Sequence, residues 1–514
     1  IKPIVYYLDP ATPEKLRKYI KQGIEEWQKP FETAGFKNAI IAKDAPTKEE
    51  DPDFSPEDIR YSVIRYVAST TRNAVGPSVT DPRTGEIIES DVIWYHNHLR
   101  SYRNRYLLET GAANPSARTL NTSDEEMGEM MRFVIAHEVG HALGFPHNMG
   151  ASCAYETEDY RNGAFTQKNG IAASLMDYAR FNYIAQAGDK GVRFIRQMGP
   201  YDHYALNWGY RVIPNSTSPE SEVPTLDKWI LEKAGDPVYK FGKQSSSFDP
   251  TSQTEDIGNN SMKASTYGMK NLQYVAAHLS EWTSDVTNNY EDLDELYKEM
   301  LDVWSRYVGH VVTNVGGVYE NTKKPNQKGS VYDVVPKVKQ QEAMQWLQNN
   351  AFASPSWLVN VGTLKNIDYS GYTERFRSLQ VRHLNNVLSF DRIGRLMDAE
   401  IMGTNNYTAL DLFQDMRKGI WKESNAASNV SIYKRNLQRA YIERMSFLMS
   451  EELKAGGTKD YYNVSQSDVR ALVRGELNLL KTSLSVAKNS AINAETKYHY
   501  QDCIKRIEKI LDPK

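Results

Sequence analysis

His137, Glu138, His141 and His147, near the first third of the chain, have the residue types and spacing to do chemistry. On a helix, His137 and His141 are one turn apart, so both imidazoles project from the same face. Two such side chains can take adjacent corners of a zinc tetrahedron. Glu138 sits beside them without being placed as a ligand, and from there it can take a proton from an activated water. Gly144 supplies the route for a third ligand. Glycine tolerates the left-handed conformation at a helix C-terminus, so the chain can turn sharply and bring His147 back. Pro146 then discourages helical continuation. Three histidines leave one position open for water or substrate, the mark of a catalytic rather than a structural site. His-Glu-x-x-His alone could be a solvated helical face. Gly144 and His147 at fixed offsets make that coincidence rare.

These side chains need a helix with a defined start and stop. Thr122 or Ser123 with Glu125 and Glu126 forms a capping-box pattern, and Met130, Phe133, Val134 and His137 carry the helix on towards Gly144. Upstream, Ile4 to Leu8 reads as a short strand closed by Asp9-Pro10. Leu16, Ile20, Ile24, Trp27 and Phe31 recur at helical spacing, stopped by Gly35. Asn38 to Ala42 and Ile59 to Ser69 read as further strands. Val79 to Ile93 reads as a hairpin around the turn cluster Asp81-Pro82-Arg83-Thr84-Gly85. The first 210 residues are therefore mixed α/β.

After Tyr210 the pattern changes. Val212 to Pro224 has the composition of a linker. Beyond it, helical periodicity dominates over Met262 to Trp282, Leu293 to Val315, Lys337 to Asn349, Arg375 to Met402, Ala427 to Ala455 and Ser465 to Leu511. No fixed-period repeat is visible.

Composition bounds the function classes. A length of 514 residues, 40% hydrophobic and 25% charged, suits two to four domains and a sizeable core. No apolar run is long enough to span a bilayer. A formal charge of −3 leaves no electrostatic footprint for nucleic acid or anionic lipid. Cys153 and Cys503 could form at most one bridge, which rejects a disulfide scaffold. The chain opens on Ile1, and we expect an upstream segment to have been removed. The sequence carries no signal for oligomeric state.

The run His137-Glu138-Val139-Gly140-His141-Ala142-Leu143-Gly144-Phe145-Pro146-His147 resembles the metzincin zinc peptidases, whose motif is followed by a methionine-containing turn. Ser174-Leu175-Met176-Asp177-Tyr178 looks like that turn. The resemblance implies that Met176 forms an apolar floor and that Tyr178 donates a hydrogen bond near the zinc, as in astacins and serralysins, which often carry His where Asp177 stands. Ile4 to Leu8, Asp81 to Ile88, the zinc helix and Met176-Asp177-Tyr178 narrow the resemblance to the bacterial Met-zincin family. Met262 to Ser265 and Arg417-Lys418-Gly419-Ile420-Trp421 look similar more loosely, so the likeness covers both halves.

The resemblance implies an α/β (α+β) catalytic domain over residues 1–213, with a twisted mixed sheet and an active-site helix, followed by a mostly α-helical domain over 214–514. It implies one Zn2+ per chain on His137, His141 and His147, with Glu138 and Tyr178 as catalytic residues. The expected activity is that of an endopeptidase on a protein or peptide substrate, with an extracellular, periplasmic or cell-envelope location. Two alternatives are a zinc-containing binding protein and a metal-dependent hydrolase of cell-wall or glycan-linked substrates. By the same analogy Ile87 to Trp94 is the candidate edge strand for substrate. Tyr201 to Tyr210 resembles a closing helix, with Tyr201, Ala205 and Trp208 packed inward and Asp202 capping it or bonding to the methionine turn. His96 and His98 are expected to be surface histidines rather than a second metal site. Asp249, Glu255 and Asp256 are expected to be solvated turn carboxylates rather than a calcium loop.

Overall fold

The computed structural model describes residues 2–244, 248–284, 288–354, 356–403, 405–425, 428–450 and 467–513. It divides into two compact units, one over Ile1–Ser246 and Thr251–Met300, the other over Ser247–Pro250 and Leu301–Lys514.

The first unit opens with β1 (Ile4–Leu8), α1 (Glu14–Glu25), α2 (Gln28–Thr33), β2 (Ile40–Asp44) and β3 (Ser62–Val67). It continues with β4 (Ala74–Val75), β5 (Ser78–Thr80), β6 (Ile87–Ser90), β7 (Val92–Tyr95), α3 (His98–Thr110) and α4 (Asp124–Ala142). Then come α5 (Gly163–Asn169), α6 (Pro200–Tyr210), α7 (Pro219–Lys233), α8 (Ser261–Ser284) and the start of α9 (Glu291–Val312). A five-stranded sheet runs β2-β1-β3-β7-β4, parallel except for β4, which pairs antiparallel with β7. This mixed sheet beside a long helix is the expected catalytic architecture. β5 and β6 form the expected hairpin as a separate two-stranded sheet. The edges of this sheet are β2 and β4; within Ile87 to Trp94, the expected edge strand, β7 is held on both sides, whereas β6 pairs only with β5 outside this sheet.

Helix α4 is centred in the core. Ser123 caps it by accepting from Glu126 N–H, and Asp124, Glu125 and Glu126 favour its positive end. Its other end is a Schellman motif: Gly144, at φ +94°, donates to His141 O, and Phe145 donates to Gly140 O. α1 lies along α4 so closely that a Cβ on Gly23 would come within 2.6 Å of the Arg132 carbonyl oxygen. The expected helix over Leu16 to Phe31 breaks into α1 and α2 because Pro30 has no N–H for Glu26.

Three other expectations are corrected. Pro219 to Lys233 is a helix rather than the end of a linker, started by the Ser218–Ser221 capping box with Pro219 in its first turn, and no residue of it is buried. In α6 the inward residues are Asp202 and Leu206, whereas Trp208 is exposed. Glu255 and Asp256 are buried rather than solvated, as is Asp249. Glu255 pairs with Arg105 and Arg180, and α8 packs on α3, so the first unit continues past residue 213.

The second unit holds β8 (Val318–Glu320) and β9 (Tyr332–Val334), an antiparallel pair, among helices. These are α10 (Lys337–Asn350), α11 (Val361–Ile367), α12 (Tyr372–Val387), α13 (Phe390–Met402) and α14 (Ala409–Ile420), then α15 (Ile432–Ser450), α16 (Val469–Ser490) and α17 (Ala494–Leu511). The mostly helical expectation agrees with this unit. Arg375 to Met402 is two helices, split where Ser389 becomes extended. The expected ends at 427, 451–455 and 465–466 lie outside the described residues. Cys153 and Cys503 form no disulfide bridge with each other. Among the described residues, no helix is long and apolar enough to cross a membrane.

The α1–α4 contact yields a test. Gly23→Ala drives a methyl group against backbone that cannot rotate away. We expect a loss of about 1–3 kcal/mol despite alanine's better helix propensity, read by denaturant unfolding.

Candidate metal centre

His137 and His141 project from one face of α4, their ring centroids 4.7 Å apart and nearly perpendicular. The turn at Gly144 returns His147 to within 4.5 Å of the His141 ring and 5.2 Å of the His137 ring. One potential ligand nitrogen from each lies within 4.8 Å of the others, so the three could hold a metal ion. Among the described residues no other set of three His, Cys, Asp or Glu groups is so placed.

Hydrogen bonds fix which nitrogen faces inward. Nδ1 of His137 lies 2.8 Å from Leu175 O, Nδ1 of His141 lies 2.8 Å from Phe145 O, and Nδ1 of His147 lies 2.6 Å from Gln244 Oε1. Oxygen acceptors require each Nδ1 to carry the proton, leaving three Nε2 lone pairs directed at one another. Nε2 of His137 is buried with no hydrogen-bond partner, and those of His141 and His147 are 2.9 Å apart. Two lone pairs at that distance repel unless a cation accepts them. The donor set therefore fits a divalent ion that prefers imidazole, such as zinc. Burial opposes protonation as well. It lowers His137 well below the usual histidine range, lowers His141, and brings His147 down to about 4.

Glu138 is buried on the same helix, and desolvation pushes its carboxyl up to about 7, against the opposing pull of Arg196. That value suits a group exchanging protons near neutral pH. Tyr178 is half-buried, with its ring 4.2 Å from His147 and 5.5 Å from His137. Burial, then the nearby Glu138, raises its hydroxyl above the ordinary value, so it stays protonated and able to donate.

The turn over 174–177 supports this arrangement. Met176 packs against Gly140 so tightly that a Cβ there would come within 2.3 Å of the methionine sulfur. Asp202 accepts from Ser174 Oγ at 2.6 Å, Leu175 N–H at 2.7 Å and Gly199 N–H at 2.8 Å, combining the two roles expected of it. Asp177 accepts from Ser152 N–H and Ala179 N–H, each at 2.8 Å, which gives this carboxylate a structural place beside Tyr178. Tyr210, at the end of α6, donates to Leu143 O at the end of α4.

His96 and His98 do not join the centre. His96 is exposed and bonds Tyr66, while His98 is buried between Trp94 and Tyr102, contrary to its expected surface position. Sequence reasoning missed two neighbours. Buried Arg196 donates to Leu175 O at 2.9 Å, 3.5 Å from His137 Nδ1, and Gln244 meets His147. Neither sits in a motif. A lone arginine and a loop glutamine give no local signal.

The Met-zincin family matches residues 119–428, more than half of the chain, and the chain belongs to it. No curated protein and no solved structure matches the chain.

The converging nitrogens predict one tightly held zinc per chain. Elemental analysis of protein purified without chelators should give that stoichiometry. His147→Ala should weaken retention strongly and His96→Ala not at all.

Proposed function

We propose that this chain is a zinc-dependent endopeptidase, with His137, His141 and His147 as metal ligands and Glu138 and Tyr178 as catalytic residues. The convergence of three Nε2 lone pairs beside a buried glutamate carries this reading. A zinc ion held there supplies a Lewis acid and a water acidified to near neutral pH.

The protein's own groups do the rest. Glu138, with its carboxyl near 7, takes a proton from the attacking water and passes it to the leaving amine. Tyr178 keeps its proton and donates to the carbonyl oxygen as negative charge develops on it. Leu175 O and Phe145 O hold the His137 and His141 imidazoles in the ligating tautomer. We take Ser174 to Tyr178 as the methionine turn, with Met176 as the apolar floor under the ligand helix. Strand β4 is the sheet edge nearest the zinc helix, and Gly76, just beyond it, would have its Cβ within 2.5 Å of the Glu138 backbone carbonyl oxygen. An extended peptide added to that edge runs alongside the glutamate. The ligands, Glu138 and Tyr178 all come from residues 1–213, which we propose carry the peptidase chemistry, while 214–514 contributes α7 and α8 to the same compact unit and then the helical second unit. A secreted or cell-envelope setting, where such a peptidase meets protein substrates, completes the proposal.

Two substitutions test the chemistry. Glu138→Gln should keep zinc yet abolish cleavage of a peptide library; persistent cleavage would remove the glutamate from the mechanism. Tyr178→Phe should lower kcat by about 10²–10³-fold with little change in KM or zinc content. An unchanged kcat would leave the tyrosine a packing residue.

A further inference from the structure

We propose that Gln244 is a positioning residue for the third histidine, holding His147 in the tautomer that presents Nε2 to the metal. The inference rests on the reading of His147 as a zinc ligand and adds a determinant of metal affinity outside the ligand motif. His137 and His141 take their Nδ1 acceptors from backbone, Leu175 O and Phe145 O, whose positions follow from the turns that contain them. His147 has a side-chain acceptor instead, the Gln244 amide oxygen at 2.6 Å, 97 residues along the chain. A side chain is mobile unless its backbone is anchored, and here the anchoring is explicit.

The segment over 240–244 lies against the residues that follow His147. Gly242 O accepts from Met149 N–H at 2.9 Å, Gly242 N–H donates to Asn148 Oδ1 at 2.8 Å, and Lys240 O accepts from Asn148 Nδ2 at 3.0 Å. The two backbones approach so closely that a Cβ on Gly242 would come within 2.6 Å of Gly150 N. Lys243 O accepts from Ser252 Oγ at 2.8 Å, securing the residue just before Gln244. Segment and ligand loop are thus one bonded unit, which delivers the amide to the histidine two residues from the contact. With the oxygen towards Nδ1, His147 must carry its proton there and present Nε2 as a lone pair. The His147 ring is only half-buried, so without this acceptor water could equally well support the other tautomer, whose protonated Nε2 cannot ligate.

The test is a zinc titration of the full chain against a chromogenic chelator, comparing wild type, Gln244→Leu and Gln244→Glu. Gln244→Leu should weaken zinc about 10–100-fold. Gln244→Glu, an acceptor that cannot flip to donate, should stay near wild type. The melting temperature of the zinc-free protein should be unchanged in both variants, because the side chain is exposed. Wild-type zinc affinity in Gln244→Leu, equal weakening by Gln244→Glu, or a lowered zinc-free melting temperature would each overturn the inference while leaving the peptidase reading intact. A wild-type chain that takes up no zinc would overturn that reading and this inference with it.

Discussion

The buried carboxylate of Asp202 holds the rest of the centre in place. Its three donors come from Ser174, Leu175 and Gly199, so one side chain on α6 fixes the turn below the ligand helix and the entry into its own helix. Hydrogen bonds to a charged group contribute about 1.5–3 kcal/mol each. Burial pushes the carboxyl up to about 6 while these donors pull it down, so it is ionised at neutral pH and can accept all three. Leu175 transmits the constraint. Its N–H is held by Asp202, and its carbonyl receives both His137 Nδ1 and Arg196 Nη1. The next residue, Met176, fills the space that Gly140 leaves open, and its carbonyl accepts from Asn148 N–H, next to His147. Position thus passes from one carboxylate to two of the clustered histidines through a single turn.

What the sequence showed of this centre was what is encoded locally. The Ser123 cap, the two histidines one turn apart and the Gly144 stop are spaced by helix geometry, so their places follow from their numbers. Asp202 was legible because a helix start needs an acceptor. Arg196 and Gln244 were not, because their partners lie 59 and 97 residues away and only the fold brings them together. The misread elements failed for related reasons. Pro219 and Pro224 suggested a loop by composition, yet Pro219 takes the first helical turn, where its missing N–H costs nothing, Ser218 supplies the cap, and the helix runs on through Pro224. Likeness to a closing helix put Tyr201, Ala205 and Trp208 inward, whereas Asp202 and Leu206 are the buried residues and Trp208 is exposed.

The acidic stretch after Pro250 shows why carboxylate composition alone misleads. Glu255 is buried against Arg105 and Arg180, and Arg105 also bonds buried Glu109. Buried charges are tolerated only when paired, and removing one member of such a set costs far more than forming it gains. Arg180 follows Tyr178 by two residues and lies over the Tyr102 ring. The ion set therefore fixes the chain just beyond the turn, as Asp202 fixes it just before. Glu255 does this from a left-handed backbone conformation, φ +64°, a strain that such pairing offsets.

Clamped on both sides, the turn and the helix leave the imidazoles little freedom to relieve their mutual repulsion by rotating. That rigidity separates this arrangement from a chance cluster of surface histidines. In a flexible cluster the rings would turn their lone pairs to water, and a metal would have to offset the cost of gathering them. Here the carbonyls of Leu175 and Phe145 have already set two rings, and burial has already disfavoured their protonated forms. The folding energy of the core meets that cost in advance, so an ion bound by the three histidines would not have to gather them. By linkage, an ion bound there would in turn stabilise the fold that gathers these side chains.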